Sequence, residues 1–107
     1  MKIREVKQVE PLENMHNVDA RRIYDTDSAQ AVHMTLQAGQ SLKPHTTPVD
    51  VFFYILEGTP DVSIGEKTIT VGKDTIVESP KGTMHCLANN SEQQARILVV
   101  KAPRPGR

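Results

Sequence analysis

Two histidines carry the chemistry open to this chain: His45, six residues after Gly39, and His85, thirteen after Gly72 and four before Asn89. An imidazole ligates a divalent ion through a neutral nitrogen, or donates to an anion once protonated. Thr47, Asp50 and Val51 follow the first histidine, and Cys86 and Leu87 the second. Two nitrogens alone hold a labile ion poorly against water, so a metal site needs a further donor. His33 joins if the polar face of its strand turns inward, and Asp50 joins only through a one-residue bulge. Cys86 alternates to the face opposite His85. The alternative use of the same residues is a pocket without metal, in which His45, Thr47, His85 and Asn89 exchange hydrogen bonds beside the walls Val51, Phe53 and Leu87. Apolar lining with a few polar groups suits a small polar or anionic ligand. No nucleophilic triad, phosphate loop or dinucleotide fingerprint is present at a recognisable spacing.

The segments that must position these residues read as short strands. Residues 31–36 alternate Val32, Met34 and Leu36 against His33 and Thr35. Residues 51–56 place Phe52, Phe53 and Tyr54 in a row, so apolar groups fall on both faces of one strand. Further strands are expected at 62–64, 68–71, 75–77, 84–87 and 96–100, separated by turn-prone clusters such as Gly65-Glu66 and Ser79-Pro80-Lys81-Gly82. Residues 21–24 begin another, and the stretch before Pro11 supports at most a short edge strand. With no helical period, the chain is expected to be all-β.

The stretch from Gly39 through His45, Thr47 and Val51 to Gly58 resembles the first motif of the cupin superfamily, and Gly72 through Pro80 and His85 to Asn89 resembles the second. The resemblance covers residues 30–101 and implies a double-stranded β-helix, the jelly-roll cupin barrel. It also implies a metal position for which His45 and His85 match the first and last ligands. Thr47 stands where the family has a second His, and Val51 where it has Glu. Candidate metal ligands are therefore His45 and His85, with His33 as a third, for iron, manganese, nickel or zinc. With or without metal, the expectation is a small cupin holding a small polar or anionic ligand in its barrel; the alternative is an oxygenase, isomerase or decarboxylase acting on a small organic acid. Residues 1–30 are expected as an extension of short strand and loop, of the kind that in cupin-like proteins often joins a neighbouring subunit's sheet. Residues 31–101 form the barrel, and 102–107 a disordered tail.

The length of 107 residues allows one domain. Thirteen basic and thirteen acidic side chains cancel, which removes the footprint expected of a nucleic-acid binder. The longest apolar run, 51–56, falls far short of the roughly 20 residues that span a bilayer, and no apolar leader opens the chain. A single cysteine fits a reducing, cytoplasmic setting. The outward face of Phe52 and Tyr54 wants cover, which predicts a homodimer.

Overall fold

Among the described residues, 1–106 of the computed structural model, eight strands and one 3-10 turn make up the regular structure. The strands are β1 (Asp19–Asp25), β2 (Gln30–Leu36), β3 (Asp50–Glu57), β4 (Asp61–Ile64), β5 (Lys67–Thr70), β6 (Ile76–Ser79), β7 (His85–Ala88) and β8 (Ala95–Ala102). They form two antiparallel sheets, ordered β1-β2-β8-β3-β6 and β5-β4-β7. This is the all-β chain expected from the alternation and the turns, in the double-stranded β-helix that the cupin resemblance implies.

The alternation decides which side of each strand is interior. Met34, Ile97 and Ile55 form one cross-strand row, and Val32, Val99 and Phe53 the next. Leu36, Ile55 and Ile97 are fully buried, and Val62 and Leu87 meet them from the smaller sheet. The two hydrophobic faces exclude water from one another, and this burial is the main stabilising contribution. The outer side carries the complementary rows, Ala31-Val100-Phe52 and His33-Leu98-Tyr54. Phe53 is thus core, whereas Phe52 and Tyr54 are half-buried on the outside.

Three segments depart from expectation. Before Pro11 there is no edge strand but a 3-10 turn, Val6–Gln8. A side chain instead of a ladder holds this segment: Arg21 Nη1 donates to Val6 O, Lys7 O and Val9 O at 3.3, 2.9 and 3.1 Å. Arg21 is itself aimed by Asp19, whose two carboxylate oxygens accept from Nε and Nη2 at 3.0 and 3.1 Å. Second, β1 pairs with β2 of its own chain over Asp19–Asp25, so these residues extend the chain's own sheet. Third, the segment after β8 is fastened, because Arg104 pairs with Asp25 and Asp27 at 3.3 and 2.9 Å. Arg107, the last residue of the expected tail, lies outside the described residues.

The loop that ends β3 depends on a glycine. Gly58 has φ +85°, and a β-carbon there would sit 2.6 Å from Gln94 O and 2.8 Å from Ala95 Cα. Only glycine accepts both the left-handed backbone and that approach.

Candidate functional site

The site forms where the chain leaving Gly39 runs back along β7. Gly39 N donates to Asn89 O at 2.8 Å, and its φ of +85° allows the reversal. Leu42 N then donates to Leu87 O at 2.8 Å, and His45 and His85 exchange both backbone hydrogen bonds, at 3.1 and 2.9 Å. Two residues forty positions apart thereby become a directly opposed antiparallel pair. Opposed residues project to the same side. Their rings meet edge to face with centroids 4.7 Å apart.

His85 is the inner member, 3% exposed. Ser79 Oγ lies 2.8 Å from its Nδ1 and Thr47 Oγ1 lies 3.3 Å from its Nε2. Each hydroxyl donates or accepts as required, so a neutral imidazole finds partners for both nitrogens. Phe53 closes the side, its ring 5.3 Å away and perpendicular. Burial pushes the His85 pKa down to about 4, with His45 and Lys101 adding to the effect. The buried imidazole is held neutral at physiological pH.

His45 stands nearer the mouth. Its Nδ1 lies 3.0 Å from Lys43 O; because a carbonyl only accepts, Nδ1 carries a proton, and Nε2 is left for another partner. On its other side is His16, with ring centroids 5.2 Å apart. His16 Nδ1 accepts from Lys43 N at 2.9 Å, which leaves its Nε2–H as a donor. The His16 pKa is lowered, first by burial and then by His45, Lys43 and Lys101.

The other expected site residues divide. Val51 and Phe53 line the same side of β3 as the histidine pair, with Val51 4% exposed. Leu87 is fully buried core one step further along β7. Asn89 is fully buried and organises the turn before β8: its amide nitrogen donates to Leu36 O and Gln93 O, and its oxygen accepts from Ser91. His33 faces the outside of the larger sheet, because Met34 and Leu36 take the inside. There Arg96 Nε donates to His33 Nε2 at 3.2 Å, so His33 does not meet His45 or His85. Asp50 points outward and caps Lys81 N at 2.9 Å. Cys86 lies on the face opposite His85.

Three participants escaped sequence reasoning. His16 lay in an unassigned loop. Ser79 reads as a turn residue, though its register opposite Val51 puts it on the inner row. Lys101, next to last in β8, continues the row of Ala95, Ile97 and Val99; alternation alone would have found it.

These side chains do not make a ligand set for the divalent ion that the motifs imply. Both nitrogens of His85 are engaged by hydroxyls, Val51 offers no oxygen, and His16 Nδ1 is occupied by a backbone amide. Among the described residues, no group of three or more His, Cys, Asp or Glu is placed to hold a metal ion. A groove of about 520 Å³ lies elsewhere, on the outside of the larger sheet beside His33. Its arginines, Arg21 and Arg96, are already bonded to Asp19 and Glu57.

The family described as Cupin domain matches residues 32–101, which span both histidine motifs. The chain is a cupin. Solved structures agree with this assignment. Protein TT1209 from Thermus thermophilus is 28% identical with a TM-score of 0.84, over 98% of this cupin and 100% of that chain. The polyketide cyclase RemF from Streptomyces resistomycificus is 21% identical with a TM-score of 0.85, over 100% and 82%. KdgF from Halomonas sp. is 17% identical with a TM-score of 0.81, over 92% and 89%. At the identities of the last two, the likeness concerns the fold. No curated protein matches the sequence of this cupin. Among its described residues no helix is long and apolar enough to cross a membrane.

Proposed function

We propose that this cupin binds a small anionic ligand at the mouth of its barrel through its own side chains, with no metal required. The His45–His85 cross-strand pair carries the reading. One ring is saturated by Ser79 and Thr47, and the other, with Nδ1 taken by Lys43 O, has Nε2 left to donate to an anion in its imidazolium form. Walls such as Val51 and Phe53 supply apolar contact for the remainder of a small organic ion. After a chelator wash, elemental analysis is expected to find far less than one transition metal per chain. Organic acids are expected to raise the melting temperature of the wild type and to do so less in His45→Ala.

A second reading, a metal-dependent enzyme of the oxygenase, isomerase or decarboxylase kind, draws on one feature. His45 donates through Nδ1 to a carbonyl, the arrangement that orients Nε2 for a metal. Under this reading roughly one ion per chain survives chelation and falls in both His45→Ala and His85→Ala, and that result would replace the first reading.

The same proposal includes a homodimer formed through the outer face of the larger sheet. Phe52, Tyr54, Leu98 and Val100 lie there half-buried, and Ile76 is 54% exposed beside them. Light scattering should return twice the chain mass across micromolar concentrations; a monomer throughout would remove the dimer from the proposal.

A further inference from the structure

We propose that Lys101, backed by Arg22, is the counter-charge that selects the ligand of the barrel, and that this ligand is a small organic carboxylate with an apolar body. The inference rests on the anionic-ligand reading above and names residues that neither cupin motif contains.

The placement follows from strand alternation. Along β8 the inward row is Ala95, Ile97 and Val99, all buried, and Lys101 is its next member, opposite buried Val51 on β3. Along β1 the row of buried Ala20 continues to Arg22, opposite Val32 on β2, and the Arg22 side chain is exposed at the rim. The apolar rows therefore give way at the rim to half-buried Lys101 and exposed Arg22, with Lys101 on the side where His16 and His85 stand. Lys101 acts electrostatically on both His16 and His85, and Arg22 acts on Lys101. Lys43 is the other charge that His16 feels.

Among the described residues, no carboxylate pairs with either charge. The acids of neighbouring elements are engaged elsewhere: Asp19 on Arg21, Asp25 and Asp27 on Arg104, Glu57 on Arg96, and Asp50 on Lys81 N. Glu78 sits on the outward row, opposite Phe52. Among the described residues, no ion pair or side-chain hydrogen bond engages Lys101 or Arg22. Burial lowers the Lys101 pKa, and Arg22 adds to it, the direction expected of an ammonium withdrawn from water without a partner. A cation in that position is costly to the empty protein, and a bound anion offsets the cost.

Carboxylate is favoured over phosphate by the donors present. Phosphate sites draw on several free backbone amides at a helix start or a nest, and strand amides here are consumed by the ladders. Lys101 and the Nε2–H of His16 are side-chain donors suited to a two-oxygen anion, and Val32, Val51, Phe53 and Val99 suit a hydrocarbon remainder.

Calorimetry with benzoate and succinate as probes, and benzamide and inorganic phosphate as controls, tests the assignment on wild type, Lys101→Met, Lys101→Arg and His45→Ala. The expected result is binding of a carboxylate but not of benzamide or phosphate, weakened roughly tenfold or more in Lys101→Met and largely kept in Lys101→Arg. Equal carboxylate affinity in wild type and Lys101→Met, with loss in His45→Ala, would overturn the role of Lys101 while leaving the anionic reading standing. Phosphate binding in preference to both carboxylates would overturn the ligand class, and no binding by any anion would overturn both proposals. A measurement without ligand adds an independent check. The melting temperature of the empty Lys101→Met protein should equal or exceed that of wild type, because the substitution removes an unpaired charge; a marked fall would show an internal partner and refute the inference.

Discussion

Acid should weaken this cupin in a window set by one buried ring. The native His85 pKa of about 4 lies below the ordinary 6.5 because the ring is 3% exposed and its charged form is poorly solvated. The unfolded chain restores the ordinary value. Between the two, the unfolded state binds a proton that the native state refuses, so unfolding becomes easier as pH falls. Full stability is present above 6.5, and the loss is complete once pH has fallen through about 4. A shift of this size corresponds to about 3 kcal/mol, accumulated at up to about 1.4 kcal/mol per pH unit. That is a sizeable part of the roughly 5–15 kcal/mol that holds a typical domain together. His16 and His33, also lowered by burial, add in the same direction. Asp19 and Asp61 are lowered from 3.8, so their contributions fall below the window. The assay is urea unfolding of chelator-treated protein at closely spaced pH values, wild type beside His85→Gln, with the His85 ring followed by NMR. The glutamine variant should lose about one proton's worth of slope, and the wild-type ring should stay neutral until pH approaches 4. Identical slopes in the two proteins, or a His85 ring titrating near 6.5, would refute the reasoning.

Two further predictions concern the frame around the site. Gly58→Ala should lower stability by about 2 kcal/mol or more, seen as a reduced urea midpoint at unchanged slope, because the β-carbon meets Gln94 O and the backbone must leave φ +85°. A neutral Gly58→Ala would mean that the β3–β4 connection has room to move. Arg21→Ala should release residues 5–9, read as faster amide exchange and earlier proteolytic cleavage there. The ligand-binding properties of the barrel should be preserved, since Arg21 works on the outside of the sheet. Unchanged exchange in that segment would show that its carbonyls do not depend on the guanidinium.

Much of the architecture could be read from local pattern. Val32, Met34 and Leu36 alternate cleanly, Phe52 to Tyr54 place bulk on both faces, and the glycines fall at reversals; such features are properties of neighbouring residues and need no distant contact. The motif spacing likewise marked His45 and His85, and the presence of Thr47 and Val51 between them marked an incomplete donor set. Alternation, however, divides a strand into two faces without saying which is interior. His33 went outside because Met34 and Leu36 packed against Ile97 and Ala95, a choice made by the whole sheet.

The fastening of the N-terminal segment and the composition of the site depend on pairings between residues far apart in sequence. Arg21 reaches back fourteen residues to Lys7 O, and Ser79 meets His85 because β6 lies opposite β3 in a particular register. His16 enters from a loop through a hydrogen bond to Lys43 that no periodicity announces. Lys101 is half-buried because β8 carries the row of Ala95, Ile97 and Val99 one position further, and among the described residues it has no ion-pair partner. Spacing along a chain fixes which side chains share a face, whereas closure of the barrel fixes which faces meet and how much water remains between them.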